Sequence, residues 1–597
     1  MKHNFPDRHI LTSAMINILI LTVILFLPTA TVFPAVPITI DGLFEDWDDV
    51  PVAYTDATGD GNQADFGMLK ITNDETNLLL YITFVDGEHL LQNTNDIHLY
   101  IDVDNDTTTG LAIRGIGGDL AWCFGCRSGT WYTTTGSQNI WQSDLTLRMA
   151  PTITSTAFEI SLDLAYSGSV ADTILLYWQE SATGGDGLPN WGEVLSYVRD
   201  QTPVPLPDPI PITRFEAEDL RLITYNTLYG GLLDSSRQER FHRILTALDP
   251  DVVAVQEHYT ETAPVMNLFQ NWFPGTTWYL SSLFHGNFVI SRYPILQDAV
   301  LTTSERTMAV LLDTEDSLGS PLLVLNSHLA CCQNDASRQE DADELTAVMR
   351  EWRNNGTGPF PLAAETPIVH VGDFNLVGER QQLITLTAGD IVDESQYGAD
   401  FPWDWDGTPL TDLFSRHTHL RMGYTWRNDG SSFSPGKLDY VLYSNSVLEL
   451  GNHFVFNTLA LPVTVLQNLN LEAEDTNLAS DHLPRVVDLA AVNSVSVDRE
   501  KTDLPKRIQL ENVYPNPFNS RTTIRVSVSL PTHVSLVVYD LTGTVVKTLR
   551  KNNFLQGQET IQWEGRNDEE REVATGVYLI KLATTTQWQV RKVVLIK

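Results

Sequence analysis

The sequence predicts a multidomain chain in which a unit of mixed helices and strands lies between two all-β units. Three observations predict it. The 597 residues correspond to about three or four domains at the usual ~100–200 residues each. Strand-length apolar runs, broken by Asp, Asn, Gly and Thr, fill residues 36–204, and β character returns after Leu510. From Leu220 onward, strand-like and helix-like patterns alternate. With 42% hydrophobic and 9% aromatic residues there is material for several cores, which excludes a low-complexity disordered chain. The 76 acidic and 38 basic side chains give a net charge of −38. Such a field repels polyanions, so holding nucleic acid by broad phosphate neutralisation is disfavoured.

Residues 1–35 have the layout of a secretory signal peptide. Lys2 and Arg8 precede the apolar stretch Met15 to Leu27, and small, turn-prone residues follow through Ala30 and Ala35. That stretch is about 13 residues long, whereas a membrane-spanning helix needs ~20. The expectation is an exported chain, secreted or on the cell surface, with no integral span once mature, in an oxidising and calcium-rich setting. The four cysteines, Cys123 with Cys126 and the adjacent Cys331 with Cys332, suit structural roles, including a local disulfide, better than a zinc site.

Residues 36–204 read as a β-sandwich, with Leu78 to Phe84 and Ile97 to Ile101 among its strands. Asp102, Asp104 and Asp106 occupy alternate positions, so their carboxylates can converge on one hard cation, with Ca²⁺ the candidate. The other reading of this run is a solvated acidic turn. An EF-hand is not implied, because the sixth position lacks Gly and the twelfth lacks Glu. Asp56, Asp60 and Asp65 form a second, weaker cluster. The opening Ile40-Asp41-Gly42, followed by Asp46-Trp47, resembles the start of family 9 carbohydrate-binding and DOMON-like modules. That resemblance implies a glycan or cell-surface ligand. Residues 205–218 form a stiff linker, since proline recurs at every second position from 203 to 211.

The mixed unit spans 219–491. Its apolar runs end in polar groups: Asn226, Glu257, His328, and the pair Asp373 and Asn375. Asp439 opens another run, and Asp481-His482 precede the last. Strand ends present side chains to a shared cleft, so these carboxylates, amides and histidines form a candidate site. The motifs Leu222-Ile223-Thr224-Tyr225-Asn226, Gln256-Glu257, Asn326-Ser327-His328-Leu329, Gly372-Asp373-Phe374-Asn375, Leu438-Asp439-Tyr440 and Ser480-Asp481-His482 occur in that order. Together they resemble the endonuclease/exonuclease/phosphatase superfamily. The resemblance implies a four-layer α/β sandwich, two β-sheets face to face with helices outside, that hydrolyses phosphate esters with Mg²⁺ or Mn²⁺. It implies that Glu257 is the principal metal ligand, with Asn226 and Asp481 close to the ion. It makes His482 the general base or a phosphate contact, oriented by Asp439. Asp373 orients the attacking water, Asn375 donates to a phosphoryl oxygen, and His328 assists at the phosphate or leaving group. These types suit the chemistry: an anionic phosphoester needs positive charge, a proton acceptor and stabilisation of the leaving oxygen.

After a linker at 492–509, residues 510–597 carry Val513-Tyr514-Pro515-Asn516-Pro517-Phe518-Asn519, Val537-Val538-Tyr539-Asp540-Leu541-Thr542-Gly543 and Ala574-Thr575-Gly576-Val577-Tyr578. These resemble type IX secretion sorting domains and the immunoglobulin-like fold of flagellar hook-cap proteins. The resemblance implies a sandwich of about seven strands and, as partner, the secretion machinery.

Between Asp219 and Asp488 the chain holds 15 Lys and Arg against 36 Asp and Glu, a net −21. A long nucleic acid would therefore need local cations. Arg416, Arg421, Arg427 and Lys437, near Tyr424 and Trp426, are candidates for a cationic, aromatic wall; a core role for the two rings is the other reading. Phe401-Pro402-Trp403-Asp404-Trp405 is a candidate exposed aromatic loop. The expected function is a secreted metal-dependent phosphodiesterase of nuclease type, with extracellular nucleic acid among its substrates. The alternatives are a hydrolase of phospholipid head groups or small phosphoesters, and a surface-attached glycan-binding protein with a vestigial enzyme domain.

Overall fold

The computed structural model describes residues 36–93, 95–492, 508–540, 545–568, 571–584 and 588–596. The expected signal segment and most of the expected 492–509 linker lie outside the described residues. No helix among those described is long and apolar enough to cross a membrane.

The amino-terminal unit is two antiparallel sheets. One runs Val52–Thr55, Phe66–Asn73, Asn77–Phe84, Ala157–Asp163, Arg148–Ala150. The other runs Gly187–Leu188, Thr173–Glu180, Ile97–Asp102, Leu120–Cys123, Ser128–Thr133, Gly136–Ile140, and Leu195–Val198 also pairs with Thr173–Glu180. Alternation puts Phe66, Leu80, Ile82 and Ile160 of the first sheet and Ile101, Leu120, Trp131 and Trp178 of the second into one core. Cys123 and Cys126 form a local disulfide, whereas Cys331 and Cys332 are free and exposed. The acidic run departs from expectation. Asp102 and Asp104 gather with Asp119, not Asp106, whose carboxylate instead accepts from the Thr108 amide and hydroxyl. In the weaker cluster Asp186 takes the place expected of Asp65 beside Asp56 and Asp60.

The central unit holds two six-stranded sheets. The first is ordered Tyr279–Leu280, Phe288–Ser291, Val252–Gln256, Leu220–Asn226, Arg485–Ala491, Leu448–Val455, and the second Ile295–Val300, Thr307–Leu312, Leu322–His328, Ile368–Asp373, Asp439–Tyr443, Thr411–Asp412. The near-continuous apolar runs of their inner strands bury both faces. Leu222, Ala254 and Val487 of the first sheet share a core with Val310, Val324, Val371 and Val441 of the second. Opposite faces pack Phe241, Ile244 and Phe269 of the helices Gln238–Leu248 and Ala263–Trp272, and Leu345, Met349 and Trp352 of the helix Asp335–Asn355. Gln256 Nε2 donates to Asn326 Oδ1 at 2.7 Å, and Asn326 Nδ2 donates to Val255 O at 3.0 Å. This buried amide pair sets one sheet against the other.

Two sequence expectations are corrected here. Trp403 is fully buried, stacked on His370, and Trp405 donates its indole N–H to Thr366 O at 2.6 Å. The loop around them is therefore part of the core, not an exposed aromatic patch. The cations near Tyr424 are engaged: Arg416 bonds Asp208 O, Arg421 bonds Pro205 O at 2.7 Å, Arg427 pairs with Asp429 and Lys437 with Asp412. Tyr424 is itself buried beside Val455 and Leu483. The carboxy-terminal unit has five described strands, Ile508–Tyr514, Thr522–Tyr539, Val545–Trp563, Gly576–Ala583 and Trp588–Leu595, all antiparallel. The second and third run on past several register shifts, and such bulges bend a strand without ending it. They close around Ile524, Leu536, Trp563, Ile580 and Val593.

The sandwich also touches the central unit. Ile40 forms a bridge with Met422, Thr154 N donates to Gly378 O at 2.9 Å, and Ser434 N donates to Gln92 Oε1 at 2.9 Å.

Candidate active site

Strand direction assembles the site. Leu220–Asn226 is parallel to Val252–Gln256, and Leu322–His328 is parallel to Ile368–Asp373, so their carboxyl ends share one edge in each sheet. Asp439–Tyr443 and Arg485–Ala491 run antiparallel to these neighbours. The residues that open those two strands therefore arrive at the same edge. The register places Asn226 opposite Gln256, His328 opposite Asp373, and Asp373 opposite Asp439.

The chain turns sharply as it leaves these ends. Glu257 has φ 61° and Asn375 φ 52°, left-handed conformations that cost a non-glycine residue on the order of 1 kcal/mol and collect at functional sites. Gly372 has φ 131°, and a Cβ there would collide with the Ser327 carbonyl. Only glycine lets the two parallel strands approach closely enough to set Asp373 beside His328.

At the centre, Asn226 Nδ2 donates to Glu257 Oε1 and to Asp373 Oδ2, both at 3.0 Å. Its Oδ1 accepts from Leu228 N at 3.0 Å, and Tyr229 N donates to Glu257 Oε2 at 3.0 Å. His328 Nε2 lies 3.8 Å from Glu257 Oε1 and 3.7 Å from Asp373 Oδ2. His482 Nε2 faces the same Asp373 oxygen at 3.5 Å, and its Nδ1 lies 2.8 Å from Asp439 Oδ2. Asn375 N donates to Asp373 Oδ1 at 3.0 Å, while its side-chain amide donates to Leu329 O at 3.1 Å. Asp481 Oδ2 accepts from the Trp426 indole at 3.1 Å, and its Oδ1 is buried without a partner. Seven of the eight residues singled out in the sequence are thus linked at this edge, and Asp481, next to His482 in the chain, meets Trp426. Glu257 and His482 are joined through Asn226 and Asp373.

Burial and charge set the protonation behaviour. Burial pushes Asp373 up to about 7, with the neighbouring Asp439 adding to it and His482 opposing it. Burial lowers His482, but the carboxylates of Asp439 and Asp373 outweigh it and hold the imidazole at about 10. His328 is driven down to about 3 by burial, then by the positive charges of His482 and Arg306. One histidine is thereby basic and the other neutral, 3.5 and 3.7 Å from one shared carboxylate.

The donors fit a divalent cation. Glu257, His328 and Asp373 offer atoms within 4.8 Å of one another, the oxygens suit Mg²⁺ or Mn²⁺, and the buried, unpartnered Asp481 Oδ1 is a further acceptor lacking a counterpart. Asn226 instead turns its NH₂ toward the two carboxylates, holding them together.

Several supporting residues escape sequence reading. Thr425 Oγ1 accepts from the amides of Leu438 and Asp439 at 3.0 and 2.9 Å, and Arg485 Nη1 donates to Asp439 O at 2.8 Å. Ser480 Oγ donates to Asn226 O at 2.8 Å and accepts from His482 N at 3.1 Å. An arginine opening an apolar run was the one signal in the sequence for Arg485, which is fully buried. Tyr229 and Tyr259, 77% and 52% exposed, flank the cleft. Neither ends an apolar run, so neither carried a pattern.

Residues 223–482 match the model of the Endonuclease/Exonuclease/phosphatase family, and residues 512–597 match that of the secretion system C-terminal sorting domain. A comparison with the curated proteins returns no match. Among solved structures, the human Nocturnin catalytic domain is 16% identical, covering 46% of this chain and 95% of its own, with a TM-score of 0.29. ANGEL2, a 2′,3′-cyclic phosphatase, is 16% identical, covering 49% and 99%, with a TM-score of 0.30. The AP endonuclease LMAP from Leishmania major is 14% identical, covering 47% and 93%, with a TM-score of 0.27. On the family matches, the chain carries an Endonuclease/Exonuclease/phosphatase domain between a β-sandwich and a carboxy-terminal secretion sorting domain.

Proposed function

We propose that this is an exported, metal-dependent phosphodiesterase of nuclease type. The observation that carries the reading is the continuous set Glu257, Asn226, Asp373, His482, Asp439. Within it one carboxylate, Asp373, serves both the cation-type cluster and the histidine–aspartate pair.

Glu257 would be the principal ligand of the ion, with Asn226 and Asp481 close to it. A divalent cation supplies positive charge against the phosphoryl oxygens and, by the same field, draws down the pKa of neighbouring imidazole and water. Asp439 fixes His482 with Nδ1–H toward the carboxylate, leaving Nε2 to accept the proton of attacking water. Having taken that proton, the imidazolium is held by both carboxylates and can donate to a phosphoryl oxygen. Asp373 orients the water from its position beside His482 Nε2. Asn375 presents its amide to the phosphate once it leaves Leu329 O. His328, kept neutral, serves the leaving-group side.

Exposed Tyr229 and Tyr259 favour a substrate with flat rings, since stacking on aromatic side chains is how flexible single strands are held. Burial of Trp403 removes the feature that favoured a lipid substrate. The test is release of acid-soluble product from DNA or RNA with Mg²⁺, expected in the wild type and absent in Glu257→Ala and His482→Ala. A pure wild type inactive on both polymers sinks the nuclease reading. Turnover confined to sphingomyelin or small phosphoesters would replace it with the second. The sorting domain implies export through the secretion machinery to the surface or beyond.

A further inference from the structure

The sandwich contains a second oxygen-rich cluster that hydrolysis does not use. Asp102 ends the strand Ile97–Asp102, and Asp119 lies between Ile116–Gly118 and Leu120–Cys123. The intervening loop folds back so that each aspartate is tied to the other's segment. Val103 N donates to Asp119 Oδ2 at 2.9 Å, and Gly117 N donates to Asp102 Oδ2 at 3.1 Å. Asp104, exposed at the loop, completes a group whose facing oxygens all lie within 4.8 Å of one another.

The decisive group is Asp102. It is completely buried, its Oδ2 is taken by Gly117, and its Oδ1 has no partner. A carboxylate oxygen without a donor inside a protein is costly unless a cation meets it. No salt bridge to Asp102, Asp104 or Asp119 forms among the described residues, and the strongest charges acting on Asp119 are those of Asp104 and Asp102. The loop is also fixed: a Cβ at Gly117 would collide with the carbonyl oxygens of Asp106 and Thr109, and Thr109 Oγ1 donates to Asp104 Oδ2 at 3.0 Å. Asp106 is turned away and occupied by Thr108.

We infer that Asp102, Asp104 and Asp119 form a structural Ca²⁺ site in the amino-terminal sandwich. The donors are all hard oxygens, which excludes thiophilic metals, and they sit on a strand end, an exposed loop and a bend between strands, an irregular set that suits the adaptable coordination of Ca²⁺ better than the strict octahedron of Mg²⁺. The ion would join the end of one strand to the start of the next and discharge a buried carboxylate in the same step. Extracellular sites of this kind bind at roughly 10⁻⁴–10⁻³ M, so occupancy would follow export.

The test uses the full chain carrying Glu257→Gln, so that the cleft does not contribute, titrated calorimetrically with CaCl₂ after chelator treatment. One site is expected, with a rise in unfolding temperature of several degrees at millimolar Ca²⁺. Asp104→Asn, exposed and therefore tolerated by folding, should weaken binding at least tenfold. Asp102→Asn should abolish it while leaving the Ca²⁺-free protein as stable as before or more so, because it removes an uncompensated buried charge. Asp106→Asn should bind normally. Absence of binding in the parent overturns the site, as does loss in Asp106→Asn with retention in Asp104→Asn. A Mg²⁺ titration that matches Ca²⁺ in affinity and thermal shift overturns the assignment of the ion.

Discussion

Two carboxylate clusters in this chain differ in what surrounds them. Asp102, Asp104 and Asp119 come from a strand end, the loop after it and a bend between two later strands, and meet only backbone amides and hydroxyls. Glu257, Asp373, Asp439 and Asp481 come from the ends of four strands in two sheets, and two histidines and two asparagine residues stand among them. Both arrangements can hold a cation. Burial raises Asp119 to about 6 in the first and Asp373 to about 7 in the second, but only in the second do imidazoles stand among the carboxylates. Carboxylates alone make a clamp, and a clamp with a histidine–aspartate pair makes a catalyst.

The comparison breaks most visibly if the two clusters are not independent. Glu257→Gln should lower kcat/KM at least 10³-fold, about 4 kcal/mol of transition-state stabilisation, and leave the Ca²⁺-dependent thermal shift intact. Asp104→Asn should do the reverse. A variant that moves both readouts would show that one ion population serves both clusters.

A second test concerns the packing behind the cleft. Trp403 is buried among Phe374, Trp352 and Leu442 and stacks on His370 at 5.7 Å. Trp403→Ala should cost about 3–5 kcal/mol of stability, measured by denaturant unfolding, with no effect on binding to lipid vesicles. Unchanged stability with lost vesicle binding would restore an exposed loop.

Asp439→Asn keeps the shape of the pair but removes the charge that holds His482. A fall in kcat of about 10²–10³ with KM nearly constant is expected. An equal loss in KM would assign Asp439 to substrate binding instead.

Acid sensitivity sharpens the contrast further, since the central unit buries neutral histidines. Burial pushes His370 down to about 3 and His417 to about 4, against an ordinary 6.5. Such a group is held neutral by the fold, so its contribution to stability is complete above pH 6.5 and is lost as pH falls toward 4 and then 3. Each histidine should add about 1.4 kcal/mol of destabilisation per pH unit in that window. Unfolding curves from pH 7 to 4 check this, and a slope unchanged in His370→Gln would contradict it.

The same contrast explains what the sequence could reveal. Asn226, Glu257, His328, Asp373, Asp439 and His482 are polar groups bordering apolar runs, and strand direction carries them to one edge, so they were legible as a set where any one alone reads as an ordinary polar residue. Asp119 was not, because its approach to Asp102 depends on a backbone crossing, Val103 N to Asp119 and Gly117 N to Asp102, that spacing does not encode. Arg416 and Arg421 looked like a substrate wall, yet they satisfy carbonyls of the proline-rich segment at Asp208 and Pro205. A proline-rich strand offers acceptors without donors and draws in whatever cations lie nearby. Trp403 looked exposed because a carboxylate follows it, but Asp404 is buried and accepts from Ser446 N at 3.1 Å.

The smallest effect tests whether the sandwich is only a neighbour of the cleft. Thr152 Oγ1, in the sandwich, donates to Leu376 O at 2.9 Å and to Lys437 O at 3.3 Å. Leu376 directly follows Asn375, and Lys437 stands two residues before Asp439, so one hydroxyl holds both chain segments that feed the site. Gln142 Nε2 similarly meets Asn428 O and Ser431 O, each at 3.3 Å, in the loop after Trp426. Removing a single neutral hydrogen bond costs about 1 kcal/mol, and displacement by a few tenths of an ångström is felt most in positioning. Thr152→Val should therefore change kcat/KM by about two- to five-fold while the Ca²⁺ shift stays as in the wild type. A Thr152→Val, Gln142→Ala double variant with wild-type turnover would mean that the sandwich contributes contacts but no geometry, and that the cleft is positioned by its own two sheets.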